Sequence, residues 1–185
     1  MNDFQLYFKL GLDHILSLSS IDHILFLMAL IMVFSYKNWR KLLWLISLFT
    51  IAHTSSLLLS VYGFAKLDGQ LIEKLILATI LITALSNIII KNDKILHKTH
   101  LYFSFLFGLV HGLGFAKDFK MMSVGQANKL LSLLSFALGI ETAQIALGVL
   151  ILLTIAILSK VFNLSKREMI LLVSGAVLGF VLALF

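Results

Sequence analysis

Asp22-His23, His53, His111 and Glu141 each interrupt a long apolar run, and every one of them can bind a metal cation or carry a proton. An acid at the centre of a membrane helix costs roughly 2.5–3.5 kcal/mol on a translocon-insertion scale. Packing of a small helical bundle does not need that expense, so these residues are read as a functional site for a metal cation or for protons. Imidazole and carboxylate without thiolate suit Ni²⁺, Co²⁺, Zn²⁺ or Fe²⁺ better than Cu⁺; spacing alone does not choose among them. The chain has no cysteine, which removes thiolate sites, disulfides and cysteine-attached haem.

Each residue has a plainer reading beside the chemical one. Neighbouring helical positions point about 100° apart, so Asp22 and His23 can line one cavity without stacking on each other. His14 precedes His23 by nine positions, about 180° around a continuous helix. Only a break within residues 17–20 would fold it back; otherwise Asp13 and His14 are ordinary interfacial groups. His53 lies on a hydroxyl-rich helix with Thr50, Thr54, Ser56 and Ser60, a pattern that also serves interhelical hydrogen bonding. Gly108, Gly112 and Gly114 flank His111 and either admit a neighbouring helix closely or leave room for a ligand. Glu141 and Gln144 share a helix face and suit oxygen coordination or a proton relay. Glu73 opens a helix whose Thr79, Thr83 and Asn87 read as interhelical hydrogen-bonding groups. His97 and His100 fall in a basic stretch and read as solvent-exposed.

The elements that must position these groups are membrane helices. Of 185 residues, 60% are hydrophobic and 13% charged, against about 25% charged in soluble domains. About 20 residues span a bilayer, which predicts an all-α, polytopic, single-domain bundle of six transmembrane helices over 20–36, 42–62, 71–90, 101–116, 130–158 and 169–185. A short N-terminal interfacial helix over 3–18 precedes them. Proline is absent, so any break falls at glycine or serine. The net charge of +6 resides in short loops and is a topology signal, with no nucleic-acid partner implied. Lys37, Arg40, Lys41, Lys91, Lys94, Lys98, Lys160, Lys166 and Arg167 outnumber the basic residues of the opposite loops, which places both termini outside. With helices alternating in direction, Asp22, His23, His53, Glu73, His111 and Glu141 all fall within roughly 5–18 Å of one membrane face at 1.5 Å per residue.

These stretches resemble the HupE/UreJ family of small bacterial membrane proteins along almost the whole chain. The resemblance rests on YFKLGLDHIL, IDHILFLMAL, FTIAHTSSL, LIEKLI, FGLVHGLGFA and FALGIETAQ, in that order. It implies a multi-pass protein of the bacterial inner membrane, of a kind associated with hydrogenase and urease maturation and with import of nickel or a similar cation. By the same resemblance His14, Asp22, His23, His53, Glu73, His111 and Glu141 are the metal-site positions. The chain departs from the family pattern between His14 and Asp22, where Ser17, Ser19, Ser20 and Ile21 replace an acid and an Asn-Gly-Tyr turn. It departs again after His53, where Thr54, Ser55 and Ser56 replace Ser-Ile-Thr.

Three functions follow. The first is a membrane permease for a divalent transition-metal cation of the nickel or cobalt kind, with the cation and the lipid bilayer as its partners. The second is an intramembrane, zinc-type hydrolase acting on a lipid or membrane-embedded bond, with Glu141 or Asp22 as base. The third is a binding or assembly component, including one that holds haem through paired histidines. A homo-oligomer is compatible with all three.

Overall fold

The structure is a computed structural model that describes residues 2–17, 20–34, 38–65, 68–126 and 128–183. The helix ends expected at Leu18, Tyr36 and Phe185, Ser19 of the serine stretch, and the loop cations Lys37 and Lys66 lie outside the described residues. Among the described residues the chain is all-α, with eight helices: α1 (Asp3–Leu16), α2 (Ile21–Ile31), α3 (Trp39–Val61), α4 (Gly69–Ile89), α5 (Asp93–Gly114), α6 (Ala116–Met122), α7 (Lys129–Val161) and α8 (Lys166–Leu182). Helices α3, α4 and α7 are each long and apolar enough to cross a membrane. The pairs α1–α2, with axes 71° apart, and α5–α6, at 50°, meet the same criteria as bent units, giving three to five spans by length and composition.

Polar residues at the helix starts explain why the elements begin where they do. Asn2 and Gln5 form a reciprocal capping box on α1, and Ser165 and Glu168 do the same on α8, each satisfying amides that the helix itself leaves unpaired. Asp68, Asn92 and Asn128 cap α4, α5 and α7 through side-chain oxygens. Between the caps the chains are apolar, and large side chains such as Trp44, Ile89, Leu150 and Ile157 stay exposed on the outer faces. A helix satisfies its own backbone in lipid, so such faces fit contact with acyl chains.

Two seams of close packing hold the bundle around the N-terminal region. On α5, a methyl added to Gly112 would collide with the His53 carbonyl oxygen and the Ser56 hydroxyl, so α3 and α5 meet nearly backbone to backbone at His53. Between α1 and α7, Gly11 abuts the carbonyl of Phe136 and Gly139 that of Phe8. Close packing is therefore what the glycines at 108 and 112 provide. Helix α1 lies lengthwise along the first half of α7, and Tyr7 donates a hydrogen bond to the Met122 carbonyl at 2.9 Å.

The basic stretch expected to expose His97 and His100 is helical instead. Asn92 caps α5 immediately before it, and His100 is fully buried. The cause is the early end of α2 at Ile31, inside the protein, which leaves terminal carbonyls in need of donors. The His100 ring lies with Nδ1 3.0 Å from the Leu30 carbonyl, and the His97 ring with Nε2 3.2 Å from that of Val33. Asn87 donates to the Ala29 carbonyl at 2.8 Å. The Arg167 guanidinium closes the end of α4 by donating to the carbonyls of Asn87 and Ile88.

Candidate metal centre

Where α1 and α2 diverge, His14 in the last turn of one helix faces Asp22 and His23 in the first turn of the next. The bend supplies the break that a continuous helix would deny: the rings of His14 and His23 stand 4.7 Å apart, centroid to centroid. Helix α3 brings His53 to 5.8 Å from His14 and 6.3 Å from His23. The last turn of α5 brings His111 to 5.1 Å from His23. Two groups of potential ligands result, His14–His23–His53 and Asp22–His23–His111, and within each the donor atoms lie within 4.8 Å of one another. Metal–nitrogen bonds of about 2.1 Å around a tetrahedral ion would need donor atoms roughly 3.4 Å apart, so small side-chain adjustments suffice.

Helix polarity favours a cation here. The carbonyl ends of α1 and α5 point into the site, carrying the negative end of the peptide dipoles. The amide end of α2 meets them, and there Asp22 occupies the first turn, where a carboxylate complements the dipole. Broken helices whose ends surround a site are a recurring way of handling ions in membranes.

Hydrogen bonding decides which ring nitrogens are left to bind. Thr79 donates its hydroxyl proton to the Ile76 carbonyl at 2.6 Å and lies 3.2 Å from His111 Nε2. With its one proton committed, Thr79 accepts from Nε2–H, so the lone pair of His111 is on Nδ1. Asp22 Oδ1 lies 3.2 Å from His23 Nδ1, which makes Nδ1–H the donor and leaves the lone pair on Nε2. Among the described residues, His14 Nε2, His23 Nε2, His111 Nδ1 and both nitrogens of His53 are buried without a hydrogen-bond partner. Unsatisfied buried polar atoms are costly and rare, and here five of them meet in one cluster. The donor set thus fits a metal cation.

A cavity of about 630 Å³ opens onto this cluster, lined by His14, Asp22, His23 and His111 together with Asp13, Glu73 and Asp118. His53 is fully buried and does not line it. Glu73 is exposed at the cavity wall and belongs to neither ligand group. Glu141 is placed elsewhere: Ser47 donates to it, and it faces a groove between α3 and α7 with Thr50 and Thr54. Its neighbour Gln144 accepts from Thr50 at 3.0 Å. Aromatic rings wall the histidines off from the remainder of the core, with Phe115 4.1 Å from His14 and Phe26 5.2 Å from His111. Asp118 gave no signal in the sequence because α6, which carries it to the cavity, reads there as loop.

The chain belongs to the HupE/UreJ family: the family profile described as HupE / UreJ protein matches residues 1–185, the whole chain. No curated protein and no solved structure matches it.

Proposed function

We propose that this multi-pass membrane protein is a permease that passes a divalent transition-metal cation, Ni²⁺ or Co²⁺ before Zn²⁺, through the histidine–aspartate cluster. The observation that carries the reading is the pair of ligand groups at the α1–α2 break, with five buried ring nitrogens that have no hydrogen-bond partner among the described residues. Asp22, His23, His111 and His14 replace water around an ion that arrives through the cavity, and His53 extends the coordination inward. Asp13, Glu73 and Asp118 give the mouth a negative lining, which concentrates cations by the field of the whole cleft. Membership of a family associated with nickel and cobalt transport supports the substrate class.

The same proposal takes α8 as a further span, for a total of six with the two bent pairs. It sets the protein in the bacterial inner membrane with both termini outside. A hydrolase needs a carboxylate free to act as base beside the bound metal. Asp22 is engaged by His23, and Glu141 by Ser47 in another groove, so neither is the free base that the hydrolase reading assigns. The test is uptake of Ni²⁺ or Co²⁺ into liposomes containing the purified protein. Flux well above that of empty vesicles, lost in His23→Ala, is the expected result; flux equal to empty vesicles from a correctly folded sample rejects the permease.

A further inference from the structure

We infer that the site is two overlapping stations for a single cation, hinged on His23, with His53 as the ligand of the deep station. This deepens the permease reading and rests on it for the direction of travel only. Both ligand groups contain His23: Asp22–His23–His111 on one side and His14–His23–His53 on the other. Asp22, His23, His111 and His14 all line the cavity, while His53 is fully buried and absent from the cavity wall. The first group is therefore wholly open to an arriving ion, and the second reaches behind the wall through His53 alone.

The chemistry of imidazole makes the two stations exclusive. A neutral ring has one lone pair, since one nitrogen carries the proton. With Nδ1–H given to Asp22, His23 can serve one ion at a time. Serving two would require the ring to lose both protons, and two dications held on one ring would repel strongly inside a low-dielectric protein. Sharing one ligand means that a cation moving inward exchanges Asp22 and His111 for His14 and His53 without ever leaving His23. No stage of the passage then has an ion stripped of all protein ligands. Each station has three protein donors, which leaves open coordination positions and so favours release over permanent capture. Among the described residues neither nitrogen of His53 has a hydrogen-bond partner, so its lone pair is left for the arriving ion.

The decisive measurement is Co²⁺ binding to the purified, detergent-solubilised full chain, read by stoichiometry and by the visible ligand-field spectrum of the bound ion. Wild type, His53→Gln, His111→Gln, His23→Gln and the His53→Gln/His111→Gln double variant are compared, each first shown to be monodisperse. Wild type binds one Co²⁺ per chain. His53→Gln and His111→Gln each still bind one, because each leaves the other station whole, and their spectra differ from one another. His23→Gln and the double variant lose binding. Two Co²⁺ per wild-type chain, loss of binding in either single variant, or identical spectra from both single variants would each overturn the two-station scheme. Correct binding behaviour with no flux in liposomes would leave the stations standing and remove the permease, so the two failures are distinguishable.

Discussion

Helix α2 has buried histidines at both of its ends, and they do opposite things. At its C-terminal end His97 and His100 approach the carbonyls of Val33 and Leu30, beside Asn87 on Ala29, and serve as caps for a helix that stops inside the protein. At its N-terminal end His14, His23, His53 and His111 face one another, with ring nitrogens that have no hydrogen-bond partner among the described residues. His100 is as buried as His53, both at 0% exposure, so burial alone does not distinguish a ligand from a cap. His100 Nε2 is also buried without a partner among the described residues, so what distinguishes the two is what each ring faces. A histidine whose neighbours are carbonyls is held by the fold; one whose neighbours are other histidines and an aspartate has its remaining valence for a cation.

The largest effect expected from this contrast is between His23→Ala and His100→Ala. Loss of His23 removes a member of both ligand groups and should cost more than the ~10–100-fold in metal affinity typical of removing an outer partner. His100→Ala should leave metal affinity unchanged and instead lower stability by about 1–3 kcal/mol, the cost of a buried carbonyl left without its donor. Isothermal titration with Co²⁺ and thermal unfolding of the same samples separate the two; weaker metal binding in His100→Ala would erase the distinction between the ends of α2. Thr79→Val comes next. It removes the acceptor that holds the His111 proton on Nε2, so in the His53→Gln background, where only the Asp22–His23–His111 group remains whole, Co²⁺ affinity should fall ~10–100-fold. Unchanged affinity there would show that the tautomer is not set by Thr79.

A third prediction concerns the seam that places His53. Gly112→Ala forces α3 and α5 apart at the His53 carbonyl and should destabilise the protein by about 1–3 kcal/mol, as overpacking does. Gly175→Ala on α8, where the added methyl meets nothing within 4 Å, should be neutral or stabilise by up to about 1 kcal/mol through helix propensity. Equal effects at the two glycines, by thermal unfolding, would contradict the close approach at the site.

The contrast also explains what the sequence alone could carry. Asp22, His23, His53 and His111 were legible because lipid penalises such groups wherever they point. His14 depended on a break at residues 17–20, and the bend between α1 and α2 supplies it. His100 reads as solvent-exposed because lysines surround it, whereas Asn92 starts a helix there and α2 offers it an uncapped carbonyl. Spacing along a helix predicts depth but not which neighbour a side chain turns to. That choice belongs to packing, and it is where the expectation for Glu141 and the placement of its carboxylate part company. Short α6, with Asp118, had no periodicity long enough to be read.

The smallest predicted effect is for that reason the sharpest. Glu141→Gln and Asp22→Asn make the same chemical change, carboxylate to amide, at two half-buried positions. Asp22 belongs to a ligand group and receives the His23 Nδ1 proton, so its amide loses both a charged oxygen donor and the partner that orients the ring. Metal affinity should fall by at least about tenfold. Glu141 meets Ser47 in a groove between α3 and α7, and glutamine retains a carbonyl oxygen to accept that hydroxyl. Co²⁺ affinity of Glu141→Gln should therefore match wild type, with stability altered by less than about 1 kcal/mol. If Glu141→Gln instead lowers affinity as much as Asp22→Asn, the carboxylate must reach the cation in a second conformation in which α3 and α7 have moved, since in the present one its oxygen is committed to Ser47.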